Sequence, residues 1–344
     1  MTTVFTGIQP TGRLTIGNLI GALLPARRMQ ETADCLFAVV DLHALTVAHD
    51  PAEVRERSRE VATLMLAAGL DPDRAVIFCQ SHVTAHAELT YLMECTVTVG
   101  ELSRMIQYKE KSAKQRSVRT SLLTYPALMA ADILAYRTDE VPVGDDQRQH
   151  VELARDLAIR FNRAYGDTFT VPRGVHPEVA ARLRDLADPA AKMSKTATRD
   201  AGVIRLLDPP ELVRRKIMRA VTDDLGAVRY APEEQPGVAN LLGLLAACTG
   251  GDPARLAERY DRYGPLKNDV ADAVLAVLEP LQRRYRELAA EPGAVDAVLA
   301  GGARRAAERA APTVAAARAA IGLLPGPGEL SHRGVPEGFR SSAR

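Results

Sequence analysis

FTGIQPTGRLTIGN spans residues 5–18. The run TVFTGI that leads into it reads as a strand. IGNLIGALLPARRMQ, which follows, reads as a helix with Pro25 as its candidate break, because a proline inside a helix removes a backbone donor. Gly7, Pro10, Gly12 and Gly17 therefore fall in the first strand-to-helix turn. Glycine is costly to order and packs no side chain, so a cluster there suggests that something comes very close to the backbone. Free N–H groups at the helix start, around Gly17 and Asn18, favour phosphate. The plain alternative is a glycine-rich turn with no ligand. The dinucleotide pattern GxGxxG and the phosphate-loop pattern GxxxxGK[ST] are both absent.

Outward from this turn the first half alternates. CLFAVVD and AVIFCQS read as strands. Between them PAEVRERSREVATLMLAAGL reads as a helix capped by Asp50 with Pro51 at its first position. Continuous apolar strands separated by helices imply a parallel sheet covered on both faces. Helical patterns dominate from about residue 84 to 136, VPV at 141–143 looks like a short strand, and a helix runs from about Asp146 to Tyr165. After residue 192 strand signals stop. ELVRRKIMRAV, NLLGLLAACTG, PARLAERYDRYG, LKNDVADAVLAVLEPLQRRYREL and VDAVLAGGARRAAERAAPTVAAARAAIG all show helical spacing. The predicted fold is α/β, a Rossmann-like doubly wound parallel sheet with a helical insertion, followed by an all-α region. The boundaries fall at 1–190 for the α/β domain, with the insertion about 84–120, and at 191–323 for the helical one. The stretch 324–344, rich in Pro, Gly and Ser, reads as disordered.

Composition bounds the function without choosing it. The 344 residues suit two domains, and 47% hydrophobic with 25% charged residues is ordinary for a globular chain. A net charge of +1 announces no global field for nucleic acid, although local patches can still bind it. The four cysteines, Cys35, Cys79, Cys95 and Cys248, are scattered with no CxxC pair. They read as reduced thiols of a cytoplasmic protein without zinc or an iron–sulfur cluster. MTTVFTGIQP lacks the basic start and apolar core of a signal peptide. No apolar run approaches the roughly 20 residues a membrane helix needs, so no membrane partner is expected.

A second segment narrows the reading. Lys192-Met193-Ser194-Lys195-Thr196 follows the α/β half, and two lysines three apart around a small hydroxyl residue suit a loop that meets a polyphosphate. With this string the sequence resembles the class I aminoacyl-tRNA synthetases. Thr15-Ile16-Gly17-Asn18 is similar to their His-Ile-Gly-His signature, and Lys192–Thr196 to their Lys-Met-Ser-Lys-Ser loop. The departures are Thr15, Asn18 and Thr196. GIQPTG, VDLHALT, GELSRMIQYKEKS, LLTYPALMAADILAY, VPVGDDQRQHVELARDLAIRFN and YGPLKNDVA resemble the tryptophanyl branch, over about residues 3 to 323.

The resemblance implies a two-step reaction. L-Tryptophan attacks ATP to give tryptophanyl-adenylate and pyrophosphate, and the amino acid then passes to the terminal adenosine of tRNA(Trp). Such transfer rests on positioning and charge stabilisation, with little covalent work for the protein. By the same resemblance Gln9, Pro10, Thr11, Gly17, Asn18, Gly144, Asp145, Asp146, Leu183, Lys192, Met193, Ser194, Lys195 and Thr196 line the ATP site. Lys192, Lys195, Asn18, Thr15 and Lys111 serve the chemistry. Asp145 and Asp146 could equally cap a helix, and Lys111 could be a solvated surface lysine. Mg²⁺ accompanies ATP, held mostly by phosphates and water, with no dedicated carboxylate cage. The helical region would hold the anticodon, its last helix, about 304–321, folding back onto the α/β domain. The protein would work as a homodimer through the helices at about 84–107.

The amino-acid pocket has its own logic. The indole N–H only donates, so a tryptophan site needs an acceptor in an apolar slot. Asp132 sits in the apolar helix LLTYPALMAADILAY on one face with Met129, and a buried carboxylate without partners is expensive. The resemblance makes Asp132 the indole acceptor, Phe5, Gly7, Met129, Val141 and Val143 walls, and Gln9, His43, Tyr125 and Gln147 the polar end or ring edge. The alternative for Asp132 is a helix-to-helix salt bridge, and for Met129 and the valines simply core. Phenylalanine cannot donate to Asp132, whereas tyrosine must be excluded by ring size and donor position.

Other signals weigh less. His82 and His86 are four apart, a spacing that metal ligands use, but no third ligand accompanies them. The clusters Arg214-Arg215-Lys216 with Arg219, and Arg283, Arg284 and Arg286, suit either tRNA backbone or a solvated helix face. Rival functions are a tyrosine ligase, a small nucleotidyltransferase, for which the helical half is superfluous, and a non-catalytic binder.

Overall fold

The structure, a computed structural model, describes residues 1–113, 115–144, 147–175, 183–195 and 200–325. Five parallel strands form the central sheet: β1 (Thr3–Ile8), β2 (Asp34–Val39), β3 (Val76–Cys79), β4 (Glu140–Pro142) and β5 (Arg173–Val175), in the order β3-β2-β1-β4-β5. This is the doubly wound arrangement predicted above. The chain steps outward from β1 to β2 and β3, then crosses back to place β4 on the other side of β1. Ligands bind beyond the carboxyl ends of strands at such a switch point. The sequence pattern does not announce β5, whose residues Arg173 and Gly174 carry no apolar signal.

Side-chain alternation divides the core into two layers. Val4, Cys35, Phe37, Val39, Ile77 and Cys79 face one way, and Phe5, Leu36, Ala38, Val40, Val76 and Phe78 the other. The first layer packs under α3 (Pro51–Ala67) and the N-terminal helix, and extends into the helical region. The second packs under α4 (Ala85–Glu94), α7 (Thr120–Leu134) and α8 (Arg148–Tyr165). Between α4 and α7 lie two short helices, α5 (Val99–Ser103) and α6 (Ile106–Ser112). Asp50 caps α3 as expected, its Oδ1 accepting from Ala52 N at 2.6 Å.

Pro25 does not break its helix. The chain runs through α1 (Ile16–Asn18), a π turn (Leu19–Leu23) and α2 (Leu24–Met29) without interruption. A proline's ring collides with the carbonyl four residues back and leaves it without a donor. Here the wider π turn shifts the register, so that Leu24 N bonds Leu19 O, and the proline enters where the ladder is already displaced.

The helical region comprises α9 (Pro210–Met218), α10 (Pro236–Thr249), α11 (Pro253–Ala257), α12 (Tyr263–Ala289) and α13 (Pro292–Ala320). No described helix is long and apolar enough to cross a membrane. Helix α13 lies against β3, the edge strand. Covering an edge removes a template for unwanted pairing. Ala306, Ala310 and Ala317 are fully buried along it. Arg305 donates to Pro72 O at 2.7 Å, and Arg309 forks onto Asp34.

Gly302 is the tightest point of this contact. A Cβ there would stand 1.8 Å from Ile77 O, whereas one on neighbouring Gly301 would meet nothing nearer than 3.9 Å. Gly302→Ala should therefore cost about 2–3 kcal/mol through overpacking, while Gly301→Ala should gain up to about 1 kcal/mol from helix propensity. Urea unfolding of the two variants checks this, and equal effects would contradict the packing.

Glu101 ties α5 to α8. It completes a capping box with Thr98 and receives Arg160 at 2.5 and 3.0 Å. The Arg160 hydrogen bond outweighs burial and, with Thr98, holds the carboxyl at about 2 against an ordinary 4.5. A depressed carboxyl stabilises the fold above its unfolded value and loses that contribution as pH falls through the folded one. Urea midpoints of wild type and Glu101→Gln should thus differ most above about pH 5 and converge as pH falls toward about 2. A constant gap would contradict this assignment.

Candidate active site

Asp132 lies near the end of α7, 1% exposed. Three donors from three other segments meet its carboxylate. His43, on a 3₁₀ turn (Leu42–Thr46) beyond β2, reaches Oδ2 with Nε2 at 2.9 Å. Gln80, at the carboxyl end of β3, gives Nε2 to Oδ1 at 2.7 Å. His86, in the first turn of α4, gives Nδ1 to the same oxygen at 2.7 Å. Burial alone would raise the carboxyl's pKa, but the hydrogen bonds it receives from His43 and His86 hold it below the ordinary value. It is an ionised acceptor inside an apolar layer.

A second tier holds the donors. Tyr136 OH lies 2.7 Å from His86 Nε2 and its ring stacks on Phe5, centroids 5.8 Å apart. Burial and then the Asp132 charge push the Tyr136 phenol upward, so it keeps its proton. Gln80 Oε1 accepts from Leu42 N at 3.0 Å, which fixes the orientation of its amide. Gln9 Nε2 donates to His43 O at 2.9 Å. Tyr125 packs edge-on to the His43 ring and its hydroxyl meets His150 Nε2 at 2.6 Å. Lys111 Nζ lies 5.6 Å from the centre of the Tyr125 ring, a cation–π contact that places this lysine at the cleft.

The lysine loop docks beside Gln9. Met193 N bonds Leu183 O at 3.0 Å, both side chains being buried, and Lys192 bridges to Arg184. Lys195 Nζ donates to Gln9 O at 2.8 Å. The Lys195 carbonyl accepts from Arg205 Nη1 at 2.8 Å, and the same nitrogen reaches Arg13 O at 3.0 Å. Arg205 Nε bonds Asp200, and Lys216 Nζ binds Asp200, Asp208 and Val203 O at 2.7–2.8 Å. The lysine loop and the glycine-rich turn are thereby fastened to each other and to α9.

At the turn, Asn18 Oδ1 accepts from Thr15 N at 2.9 Å, closing a local cap and leaving its amide N–H₂ as a donor. Gly12 takes φ +67°, a conformation that favours glycine. A Cβ on Gly7 would meet Val40 Cγ1 at 2.7 Å. Gln147 precedes α8, its N–H bonded to Gly144 O.

Thus Gln9, His43, Tyr125, Asp132, Lys111 and Lys195 gather in one run of contacts. Phe5, Val141 and Val143 are buried members of the second core layer, with Met129 packed against it. Asp145, Asp146 and Thr196 lie outside the described residues. His82 and His86 do not act together: His82 is exposed, whereas His86 is fully buried on Asp132. Lys216, read above with a possible nucleic-acid cluster, is 5% exposed with its ammonium bound as described, so it cannot reach a phosphate backbone. Gln80, His86, Tyr136 and Arg205 were not singled out as site residues. Gln80 could have been found, because it directly follows an apolar strand, where ligand sites form. Among the described residues no group of three or more His, Cys, Asp or Glu could hold a metal ion.

Comparison with known proteins identifies the family. A family model described as tRNA synthetases class I (W and Y) matches residues 1–279. Tryptophan–tRNA ligase 1 of Streptomyces coelicolor is 60% identical over 330 residues, 94% of this chain and 98% of that one. The tryptophanyl-tRNA synthetase of Mycoplasma pneumoniae superposes with a TM-score of 0.88 at 36% identity, over 94% of this chain and 98% of that one. The Campylobacter jejuni synthetase, solved with ADP and tryptophan, gives a TM-score of 0.81 at 32% identity, over 94% and 100%. The chain belongs to the class I tRNA synthetases of the tryptophan and tyrosine family.

Proposed function

We propose that this protein is a tryptophan–tRNA ligase. It joins the tryptophan carboxylate to the α-phosphate of ATP, releases pyrophosphate, and transfers the amino acid to the terminal adenosine of tRNA(Trp). The observation that carries this reading is the continuous path from a buried ionised acceptor to a lysine ammonium: Asp132 to His43, His43 to Gln9, Gln9 to Lys195.

The indole enters against Phe5, Met129, Val141 and Val143 and gives its N–H to Asp132. That carboxylate is closed over before binding, so entry displaces a side chain, and the ligand shares Oδ2 with His43. ATP lies on the glycine-rich turn, where the Asn18 amide and the Gly17 N–H meet phosphate, the N–H groups of Ile16, Asn18 and Leu19 being already bonded to Ile204 O and Thr15 O. Lys195 exchanges the Gln9 carbonyl for the leaving pyrophosphate, with Lys192 and Lys111 as further cations. Charge that develops on the leaving group is thereby met by donors already in place. Mg²⁺ enters with ATP on phosphate and water ligands.

The helical region, 191–323, receives the anticodon. Tyr91, Val99 and Ile106 on α4–α6 are 68%, 72% and 58% exposed, which supports a twofold pairing of two chains through this insertion.

The chain contains no tryptophan, so any indole fluorescence comes from the ligand. Titration should shift that emission, and MgATP should shift it again as adenylate forms. Pyrophosphate exchange should depend on tryptophan and not tyrosine, and Asp132→Ala should erase the preference. Exchange supported equally by tyrosine, or an unchanged preference in the variant, would overturn the assignment.

Lys195→Ala should lower the exchange rate by about 100-fold, the scale for loss of one preorganised donor. Tryptophan binding without ATP should stay unchanged. Weakened tryptophan binding with an unaltered rate would remove Lys195 from the chemistry.

A further inference from the structure

A buried carboxylate needs donors, but it does not need three from three different segments. An apolar residue at position 132 would suit the layer better if packing were the only demand. The distribution of donors over the two oxygens is informative. A carboxylate offers about four acceptor sites. Oδ1 holds two donors, Gln80 Nε2 and His86 Nδ1, both at 2.7 Å, while Oδ2 holds one, His43 Nε2. With one oxygen pinned twice, the carboxylate plane cannot rotate about Cβ–Cγ, and the vacant direction on Oδ2 is fixed in space.

Both pinning groups are held in turn. Gln80 cannot flip its amide without abandoning the Leu42 N–H that its Oε1 accepts. His86 faces a carboxylate through Nδ1, so that nitrogen carries a proton. In the neutral ring Nε2 is then the acceptor, and the Tyr136 hydroxyl supplies its hydrogen. The relay runs Tyr136 O–H to His86 Nε2, then His86 Nδ1–H to Asp132 Oδ1.

We propose that Gln80 and His86, with Tyr136 behind His86, are positioning residues that aim the free acceptor of Asp132 Oδ2 and so set discrimination for an aromatic ligand carrying an N–H donor. This rests on the reading of Asp132 as the indole acceptor. None of the three residues touches the ligand. Each acts through the carboxylate.

The test compares tryptophan with β-(3-benzothienyl)alanine, in which sulfur replaces the indole N–H at nearly the same shape. The readout is the ratio of their kcat/KM values in pyrophosphate exchange. His86→Asn retains a donor at the Nδ1 position, and His86→Gln retains a polar group at the Nε2 position only. A hydrogen bond to a charged group is worth enough that its loss should lower the ratio about tenfold in His86→Gln, while His86→Asn stays within about threefold of wild type. A role in packing alone would move both variants together, in thermal midpoint as in ratio. Equal ratios in the two variants, whether retained or lost, overturn the proposal. Should neither fold, Gln80→Met removes the other pinning donor. A reduced ratio there supports the proposal and a wild-type ratio overturns it. If the wild-type protein binds tryptophan without preferring it to the thienyl analogue, the reading of Asp132 itself fails, and this inference falls with it.

Discussion

A negative charge enclosed in an apolar layer is the constraint around which this molecule is arranged. Left alone in that layer, the Asp132 carboxylate would take up a proton or open the fold to water. It does neither because the ends of β2 and β3 and the start of α4 bring His43, Gln80 and His86 onto it. The carboxyl edge of a doubly wound sheet is where such segments converge. On the proposed reading, the same burial that makes the charge costly makes it discriminating. A ligand that cannot donate leaves an unmatched acceptor in low dielectric, and one that can donate is rewarded far more than it would be in water.

The second construction is the joint between the lysine loop and the glycine-rich turn. Ile16 N bonds Ile204 O and Leu206 N bonds Leu14 O, so the segment that follows the lysines lies alongside the residues that open the first helix. Arg205 spans this joint, holding the carbonyls of Arg13 and Lys195, and Lys216 seats Asp200 and Asp208 beneath it. The lysine loop is therefore tied through Arg205 to the ion pairs of Asp200 and Asp208 with Lys216 of α9.

Much of this was legible in the sequence because its signals are local. Alternating apolar runs revealed β1 to β3. Asp50-Pro51 marked the start of α3, and the solitary Asp132 in an apolar helix marked a buried carboxylate that needs partners. What stayed hidden is set by tertiary contact. β5 carries no apolar pattern and exists because β4 pairs with it. Pro25 looked like a break because a one-dimensional reading cannot foresee a π turn that absorbs it. His86 was set aside with His82 for want of a third metal ligand, since spacing says nothing about which side of α4 is buried. Lys216 looked like surface charge, and only the fold brings Asp200 and Asp208 to it. The buried Asp132 was readable from residue type, and Gln80, His86 and Tyr136, which hold it in place, were not.

The central claim, that an ionised Asp132 reads the indole donor, is tested most directly by a crystal structure with tryptophan bound. The account predicts the indole nitrogen within hydrogen-bond reach of Asp132 Oδ2, about 2.7–3.2 Å, with Gln80 and His86 still on Oδ1. An indole nitrogen turned toward another group or toward water, with Oδ2 beyond reach, would contradict it.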